Sequence, residues 1–115
     1  MPAITMDSPE LMRFVVLAQA LVDAYRETMP TIPGEELYME KGSRYIKVWA
    51  KPRPKEGWNL GPGKNRGRIY AFIDTTNGDI LKPASCKAPA KHARGNVHDE
   101  NPVARCTHYG PEYLK

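Results

Sequence analysis

The hydrophobic positions near the N-terminus recur with the period of an α-helix. Ser8, Pro9 and Glu10 form a helix start, because serine can cap, proline tolerates the first turn and glutamate meets the positive end of the dipole. Pro30 follows the pattern and stops it. Apolar residues recur three and four positions apart at Leu11, Phe14, Val15, Ala18, Leu21, Val22 and Tyr25. The pattern predicts a helix over about residues 8–28 with one stripe facing a core.

The opposite face of this predicted helix carries a second, narrower apolar stripe. Met12, Val16 and Ala20 follow one another at four-residue spacing and would lie along one side of the helix. Partly exposed small hydrophobic residues are common on protein surfaces. A continuous row of them also suits a partner helix, and the stripe is therefore a candidate surface for homo-oligomer formation.

Alternation with a period of two predicts β-structure in the middle of the chain. Residues 44–50 place Ile46 and Val48 on one face, where we expect the core, and Tyr45, Lys47 and Trp49 on the other. A short strand is also a candidate just before them, at Leu37-Tyr38-Met39-Glu40.

The clearest hairpin joins residues 68–74 to residues 79–82 through the turn Thr75-Thr76-Asn77-Gly78. Its Asn-Gly pair supplies the positive backbone angles that a tight turn needs. Both faces of the first strand carry bulky residues, so the alternation does not decide which face is buried.

The remaining segments lack periodicity. Residues 51–67 hold three prolines, four glycines and five bases, which indicates a long basic loop. We expect residues 83–115 to form an extended, irregular tail, with one or two helical turns near Lys87–Arg94 as an alternative. The sequence thus predicts one α+β domain over residues 1–115. Its N-terminal helix packs on a small three- to four-stranded antiparallel sheet, with a long irregular C-terminal tail.

Charge is distributed unevenly along the chain. The net charge is +4, but residues 1–40 hold seven acids and two bases, whereas residues 41–115 hold fifteen bases and six acids. This asymmetry predicts an acidic structural face and a basic working face, which suits a polyanionic partner. No apolar run approaches the length of a membrane span, and no basic leader precedes the helix, so we expect a cytosolic protein without membrane contact.

Aromatic residues alternate with the bases in several segments, which is typical of nucleic-acid-binding surfaces. Cations neutralise phosphates, and aromatic rings stack on bases. The segment Lys82–Asn96 adds small residues and no acid. The candidate phosphate contacts are Arg44, Lys47, Lys51, Arg53, Arg66, Arg68, Lys82, Lys87, Lys91 and Arg94. The candidate stacking residues are Tyr45, Trp49 and Trp58. Whether the polymer is DNA or RNA, single- or double-stranded, stays open.

Zinc is the cofactor that the residue types most readily suggest. Cys86, His92, His98, Cys106 and His108 are the right ligand types, but their spacing contains no C-x2-C or H-x3-H pair. The alternative is a set of thiols and imidazoles without a metal role. No P-loop, dinucleotide fingerprint or oriented nucleophile is present. We therefore expect a non-enzymatic protein that needs no cofactor, with a zinc-stapled domain as the less favoured hypothesis.

One segment resembles known proteins. The run Tyr70-x-Phe72-x-Asp74-x-x-x-Gly78-Asp79-Ile80-x-Lys82, continued by A-S-x-K-x-P-A-K-x-x-R-G-N up to Asn96, is similar to small uncharacterised proteins of tailed bacteriophages. The similarity covers about residues 36–98. It implies a viral gene product that acts in the bacterial host cytoplasm or is assembled into a virion, and it brings no assigned activity.

The sequence therefore favours a small phage-type protein that binds nucleic acid without catalysing a reaction. The alternative is a phage interaction protein, either a virion component or an inhibitor of a host protein. The second apolar stripe of the predicted helix supports this alternative.

Overall fold

A computed structural model describes residues 4–28, 34–52, 67–85, 88–108 and 110–111 of the chain. Its elements are helix α1 (Pro9–Thr28) and strands β1 (Glu35–Lys41), β2 (Tyr45–Pro52), β3 (Arg68–Asp74), β4 (Asp79–Pro83), β5 (Pro89–Asn96), β6 (Cys106–Thr107) and β7 (Gly110–Pro111). Strands β1 to β5 form one antiparallel sheet in chain order, and β6 pairs with β7. The expected α+β class, with an N-terminal helix on an antiparallel sheet, is confirmed. Within these residues no helix has the length and apolar character to span a bilayer.

Helix α1 packs its predicted stripe onto one face of the sheet. Ser8 stands immediately before the helix, and its carbonyl oxygen accepts the first helical hydrogen bond from the Met12 amide at 3.1 Å. The stripe joins the β2 residues Ile46 and Val48 in one buried cluster, as the alternation predicts. The buried members of the helix are Leu11, Phe14, Ala18 and Val22. We call this side of the sheet the inner face and the opposite side the outer face.

A β-bulge in β3 explains why its two faces look equally apolar. Val48 pairs with Ala71, but the next residue of β2, Trp49, pairs with Ile69. Tyr70 is therefore an extra residue without a ladder partner, and it joins Ala71 in the buried core cluster. Beyond a bulge the alternation changes phase, so simple counting could not assign the faces.

Residues 89–96, which the sequence placed in the irregular tail, form strand β5 instead. The strand lies antiparallel to β4, and the register shifts twice between them. Such irregular pairing removes the strict period of two, and the segment P-A-K-H-A-R-G-N lacks the β-branched and aromatic residues typical of strands. The tertiary pairing with β4 therefore overrides a weak local preference, and the sheet has five strands.

The hairpin of β6 and β7 is attached to the sheet by polar contacts. The Tyr70 hydroxyl donates to the Thr107 carbonyl oxygen at 2.7 Å, and burial raises the pKa of this phenol, which keeps it a donor. The Lys82 ammonium donates to the Pro111 carbonyl oxygen at 3.2 Å. Gly110 has φ +123° and lies against the Tyr70 carbonyl, where a side chain would collide. Strands β6 and β7, which lie in the expected tail, are thus held against β3 and β4 by these contacts.

A side-chain amide closes the free edge of the sheet at β1. The Gln19 Nε2 group donates to the Glu35 carbonyl oxygen at 2.8 Å, and its Oε1 atom accepts from the Leu37 amide at 2.8 Å. An open strand edge presents unpaired backbone groups that invite association with other chains. Gln19 replaces a neighbouring strand at this point and couples α1 to β1.

We expect Gln19→Met to lower the free energy of unfolding by about 1–3 kcal/mol, because it keeps an unbranched side chain but leaves two backbone groups unsatisfied. Urea denaturation monitored by circular dichroism measures this change. Glu27→Met is the matched control at an exposed position of the same helix and should stay within about 0.5 kcal/mol of the wild type. Equal stability of the two variants would contradict the role assigned to Gln19.

Candidate nucleic-acid interface

Nine of the thirteen predicted nucleic-acid contacts lie within the described residues. The four that lie outside them are Arg53, Trp58, Arg66 and Lys87. The nine are Arg44, Tyr45, Lys47, Trp49, Lys51, Arg68, Lys82, Lys91 and Arg94. Four of them form a row at β2, four are held by contacts within the protein, and the ninth, Lys91, is an exposed cation on β5.

Strand β2 presents a row of polar and aromatic side chains on the outer face. Because Ile46 and Val48 are buried toward the helix, Tyr45, Lys47 and Lys51 alternate with them on the other side. Tyr45 and Lys47 are half-buried and Lys51 is exposed. Arg44 immediately precedes the strand, and 62% of its side chain is exposed. We call Arg44, Tyr45, Lys47 and Lys51 the β2 row.

Trp49 belongs to the packing and not to the exposed surface. Its side chain is only 6% exposed, and its indole Nε1 group donates to the Glu40 carboxylate at 3.4 Å. The ring lies nearly parallel to Tyr38, with centroids 6.3 Å apart. A base cannot stack on a ring whose faces are covered, so the stacking role predicted for Trp49 is not available in this conformation. Tyr45 keeps partial exposure and contacts Phe72 edge-on at 5.9 Å.

Acidic residues of β1 lie opposite the lysines of the β2 row. The register pairs Glu40 with Lys47 and Glu36 with Lys51. Directly opposite residues share a face of the sheet, so the carboxylates reduce the positive potential of the row. A charge count by segment does not reveal this neutralisation, because pairing between β1 and β2 brings an acidic segment beside a basic one.

Arg44 forms an ion pair with Asp74 across the end of the sheet. The guanidinium lies 3.3 Å from the carboxylate and 5.2 Å from the centre of the Tyr45 ring. Burial alone would raise the pKa of Asp74, but hydrogen bonds from Thr76 and Arg44 outweigh it and hold the pKa below its usual value. Since Arg44 is mostly exposed, solvent screening limits the pair to about 0–1 kcal/mol. A phosphate can therefore compete for this guanidinium.

Three predicted phosphate contacts serve internal structure. Arg68 donates to the Glu35 carboxylate at 3.1 Å and to the His108 carbonyl oxygen at 2.8 Å. Lys82 reaches the hairpin of β6 and β7, and Arg94 is buried and donates to the His92 carbonyl oxygen. The sequence shows only that these three residues are basic and does not show their partners. The contacts of Arg68 and Lys82 arise from distant parts of the chain, whereas Arg94 donates to a carbonyl two residues away.

Lys91 is an exposed cation on β5. Three strand spacings separate β5 from β2, so the two strands lie about 14 Å apart. Lys91 is therefore not adjacent to the β2 row, and the two register shifts in β5 remove any simple alignment with it.

The predicted zinc ligands do not converge within the described part of the chain. Cys86 lies outside it, and among the described residues no group of three or more potential ligands could hold a metal ion. Cys106 is buried, and His92 is exposed. The His108 ring stacks on Tyr25, with centroids 3.5 Å apart and planes 5° from parallel. His108 thus joins the C-terminal hairpin to helix α1 through ring packing.

These observations define a small α+β protein whose helix covers one sheet face and whose other face carries aromatic and charged side chains. The chain belongs to a family of unknown function, DUF7717, whose model matches residues 9–110. The match extends from the first turn of α1 to the start of β7. Neither a search of curated proteins nor a search of solved structures found a match.

The environment of His108 predicts a pH-dependent stability. Burial lowers its pKa below 6.5, and the positive charge of Arg68 lowers it further against the opposing effect of Glu35. The unfolded chain therefore binds the proton more readily than the folded chain does. The contribution of the neutral His108 ring to the stability of the folded state is complete above pH 6.5. This contribution is lost as the pH falls from 6.5 through the lower folded-state pKa.

We expect His108→Phe, which keeps an aromatic ring against Tyr25, to flatten the decline of unfolding free energy between about pH 7.5 and pH 5. Urea titrations at several pH values measure the decline. His92→Asn, which removes an exposed imidazole, should keep the wild-type steepness. If the pH profile of His108→Phe is as steep as that of the wild type, this account of His108 is wrong.

Proposed function

We propose that this protein binds nucleic acid without catalysis, and that the β2 row is its contact surface. The observation that carries the proposal is the placement of Tyr45, Lys47 and Lys51 along one strand, on the face opposite the helix, with the exposed Arg44 immediately before that strand. The row combines three cations with one partly exposed aromatic ring. This combination suits a phosphate backbone and a stacked base.

The dimensions of the β2 row match a short length of a nucleic-acid strand. Six residue steps separate Tyr45 from Lys51, which corresponds to about 20 Å along the strand. The rise of B-DNA is about 3.4 Å per nucleotide along the helix axis, so the row has the axial length of roughly six base pairs. A base stacked on Tyr45 would contribute about 1–3 kcal/mol.

The acids of β1 are expected to weaken this binding. Glu36 and Glu40 lie opposite the lysines and oppose a polyanion. Exposed pairs of this kind contribute only about 0–1 kcal/mol each, so phosphates can displace the carboxylates at low salt. We therefore propose weak, strongly salt-dependent binding with little sequence preference. Trp49, Arg68, Lys82 and Arg94 are not part of this surface.

The biological setting is proposed on the resemblance of the Gly78–Asn96 segment to proteins of tailed bacteriophages. The protein would act in the bacterial host cytoplasm or within a virion, both of which contain abundant nucleic acid. The alternative, an interaction protein of a phage, is favoured by one observation, the exposure of Met12 and Val16 on α1.

The decisive variant is Lys47→Gln combined with Lys51→Gln. We expect it to weaken binding at low salt and to reduce the slope of log K against log[salt] by about 2, because each lost phosphate contact removes about 1. Fluorescence anisotropy with labelled single-stranded and double-stranded DNA and RNA, at several salt concentrations, measures both quantities.

The matched control is Arg26→Gln combined with Arg105→Gln, which removes the same charge at positions outside β2. This pair should retain most of the wild-type affinity. Equal losses in the two pairs would mean that net charge, and not the β2 row, governs binding. Absence of binding by the wild type at low salt, or binding insensitive to salt, would exclude the proposed function.

A further inference from the structure

The β2 row is one side chain wide on the outer face of the sheet. On β1, Glu40 lies opposite Lys47 and Glu36 lies opposite Lys51. On β3, Phe72 lies opposite Lys47. Neighbouring strands are about 4.8 Å apart, so carboxylates on one side and an aromatic ring on the other border the lysines at that distance. The row is therefore a single narrow track, which suits one phosphate backbone.

A double helix would bring a second phosphate backbone to this face. The grooves between the two backbones of B-DNA are about 6 and 12 Å wide, so the second backbone would lie one to three strands to the side of the row. On one side, β1 is the edge of the sheet and carries the acids Glu36 and Glu40. On the other side, the next pair on this face is Phe72 with Leu81, and both are buried and apolar. These residues would repel a second backbone or give it no charge to bind.

The ring of Tyr45 distinguishes paired from unpaired bases. The Arg44 guanidinium lies over this ring, 5.2 Å from its centre, and 62% of the Arg44 side chain is exposed. This face of the ring is therefore covered by a group that solvent reaches, and not by the protein interior. In a double helix the faces of each base are covered by its neighbours, whereas a single strand can turn a base out for stacking on an aromatic side chain. A base can thus take the place of the planar guanidinium only when it comes from an unpaired strand.

Arg44 can leave the Tyr45 ring without leaving Asp74 unsatisfied. One oxygen of the Asp74 carboxylate accepts from Arg44 at 3.3 Å, and the other accepts from the amide and the hydroxyl group of Thr76 at 2.9 and 2.6 Å. The two bonds from Thr76 stay when the guanidinium moves. Because Arg44 immediately precedes Tyr45, it remains within reach of the phosphate of a nucleotide whose base lies on the ring.

We propose that the β2 row binds single-stranded nucleic acid, DNA or RNA, with an unpaired base on the Tyr45 ring and the Arg44 guanidinium on a phosphate. This inference rests on the proposed function and adds the form of the polymer. In the bound state the base replaces the guanidinium over the ring, Arg44 exchanges Asp74 for a phosphate, and the lysines of the row contact the same backbone. Double-stranded nucleic acid binds more weakly, because its bases do not reach Tyr45 and its second backbone meets the acids of β1.

Fluorescence anisotropy of the wild-type full chain with labelled probes of equal length, about 12 nucleotides, tests the proposal. The probes are single-stranded DNA and RNA, the matching duplexes, and a single strand whose central bases are missing. The tighter of the two intact single strands should bind at least about tenfold more tightly than either duplex at equal salt, and loss of the bases should weaken its binding at least about fivefold. A duplex that binds as tightly as the single strands overturns this inference and leaves the proposed function standing. Absence of binding to every probe overturns both, and an unchanged affinity for the strand without bases overturns the stacking on Tyr45.

Two substitutions of Tyr45 test the part played by its ring. Tyr45→Leu removes the ring and should weaken single-strand binding at least about fivefold, while duplex binding changes less than about twofold. Tyr45→Phe keeps the ring and should retain the wild-type affinity for both forms. Circular dichroism shows whether each variant is folded, and the comparison of probes on the wild type tests the inference independently of the variants. Equal single-strand affinities of the folded leucine and phenylalanine variants would contradict the stacking.

Lys91→Gln tests whether one backbone or two are bound. Lys91 is an exposed cation on β5, about 14 Å from β2, where a second backbone would need it. Its loss should leave single-strand affinity within about twofold of the wild type, whereas Lys47→Gln weakens it more. Equal losses in these two variants would indicate contacts to a second backbone and overturn the assignment to a single strand.

Discussion

Packing of the apolar stripe of α1 against the inner face of the sheet is the interaction on which the rest of the structure depends. Leu11, Phe14, Ala18 and Val22 are buried there together with Ile46 and Val48. Burial of each large apolar side chain contributes about 1.5–3 kcal/mol. Because strand residues alternate between faces, this packing also determines which side chains of β2 remain on the outer face.

Strand pairing and other internal contacts then determine which basic residues lie beside acids or donate to acceptors within the protein. Pairing with β1 places acids opposite Lys47 and Lys51, and internal acceptors hold Arg68 and Lys82. A charge count along the chain treats all of these cations alike. The folded protein separates them, because a cation that already donates to a carbonyl or a carboxylate loses that contact when it binds phosphate.

Much of the fold could be predicted from the sequence, and the elements concerned have strong local patterns. The three- and four-residue spacing predicted α1, alternation predicted β2, and the Asn77-Gly78 turn predicted the hairpin of β3 and β4. Strand β5 was assigned to an irregular tail because its residues have little β-propensity and its register is interrupted. For the candidate site, alternation predicted that Tyr45 and Lys47 lie on the face of β2 opposite Ile46 and Val48, but it did not predict the burial of Trp49 or Arg94.

The sequence by itself determined the class of fold, the amphipathic helix and the excess of positive charge after residue 40. The tertiary structure decided the phase of β3 through the bulge at Tyr70, the fifth strand, and which cations stay exposed. The physical reason is that helical and strand periodicities are local properties, which depend on residues only a few positions apart in the chain. Ion pairs, ring stacking and strand register depend on residues far apart in the chain, such as Arg68 with His108, and only folding brings these together.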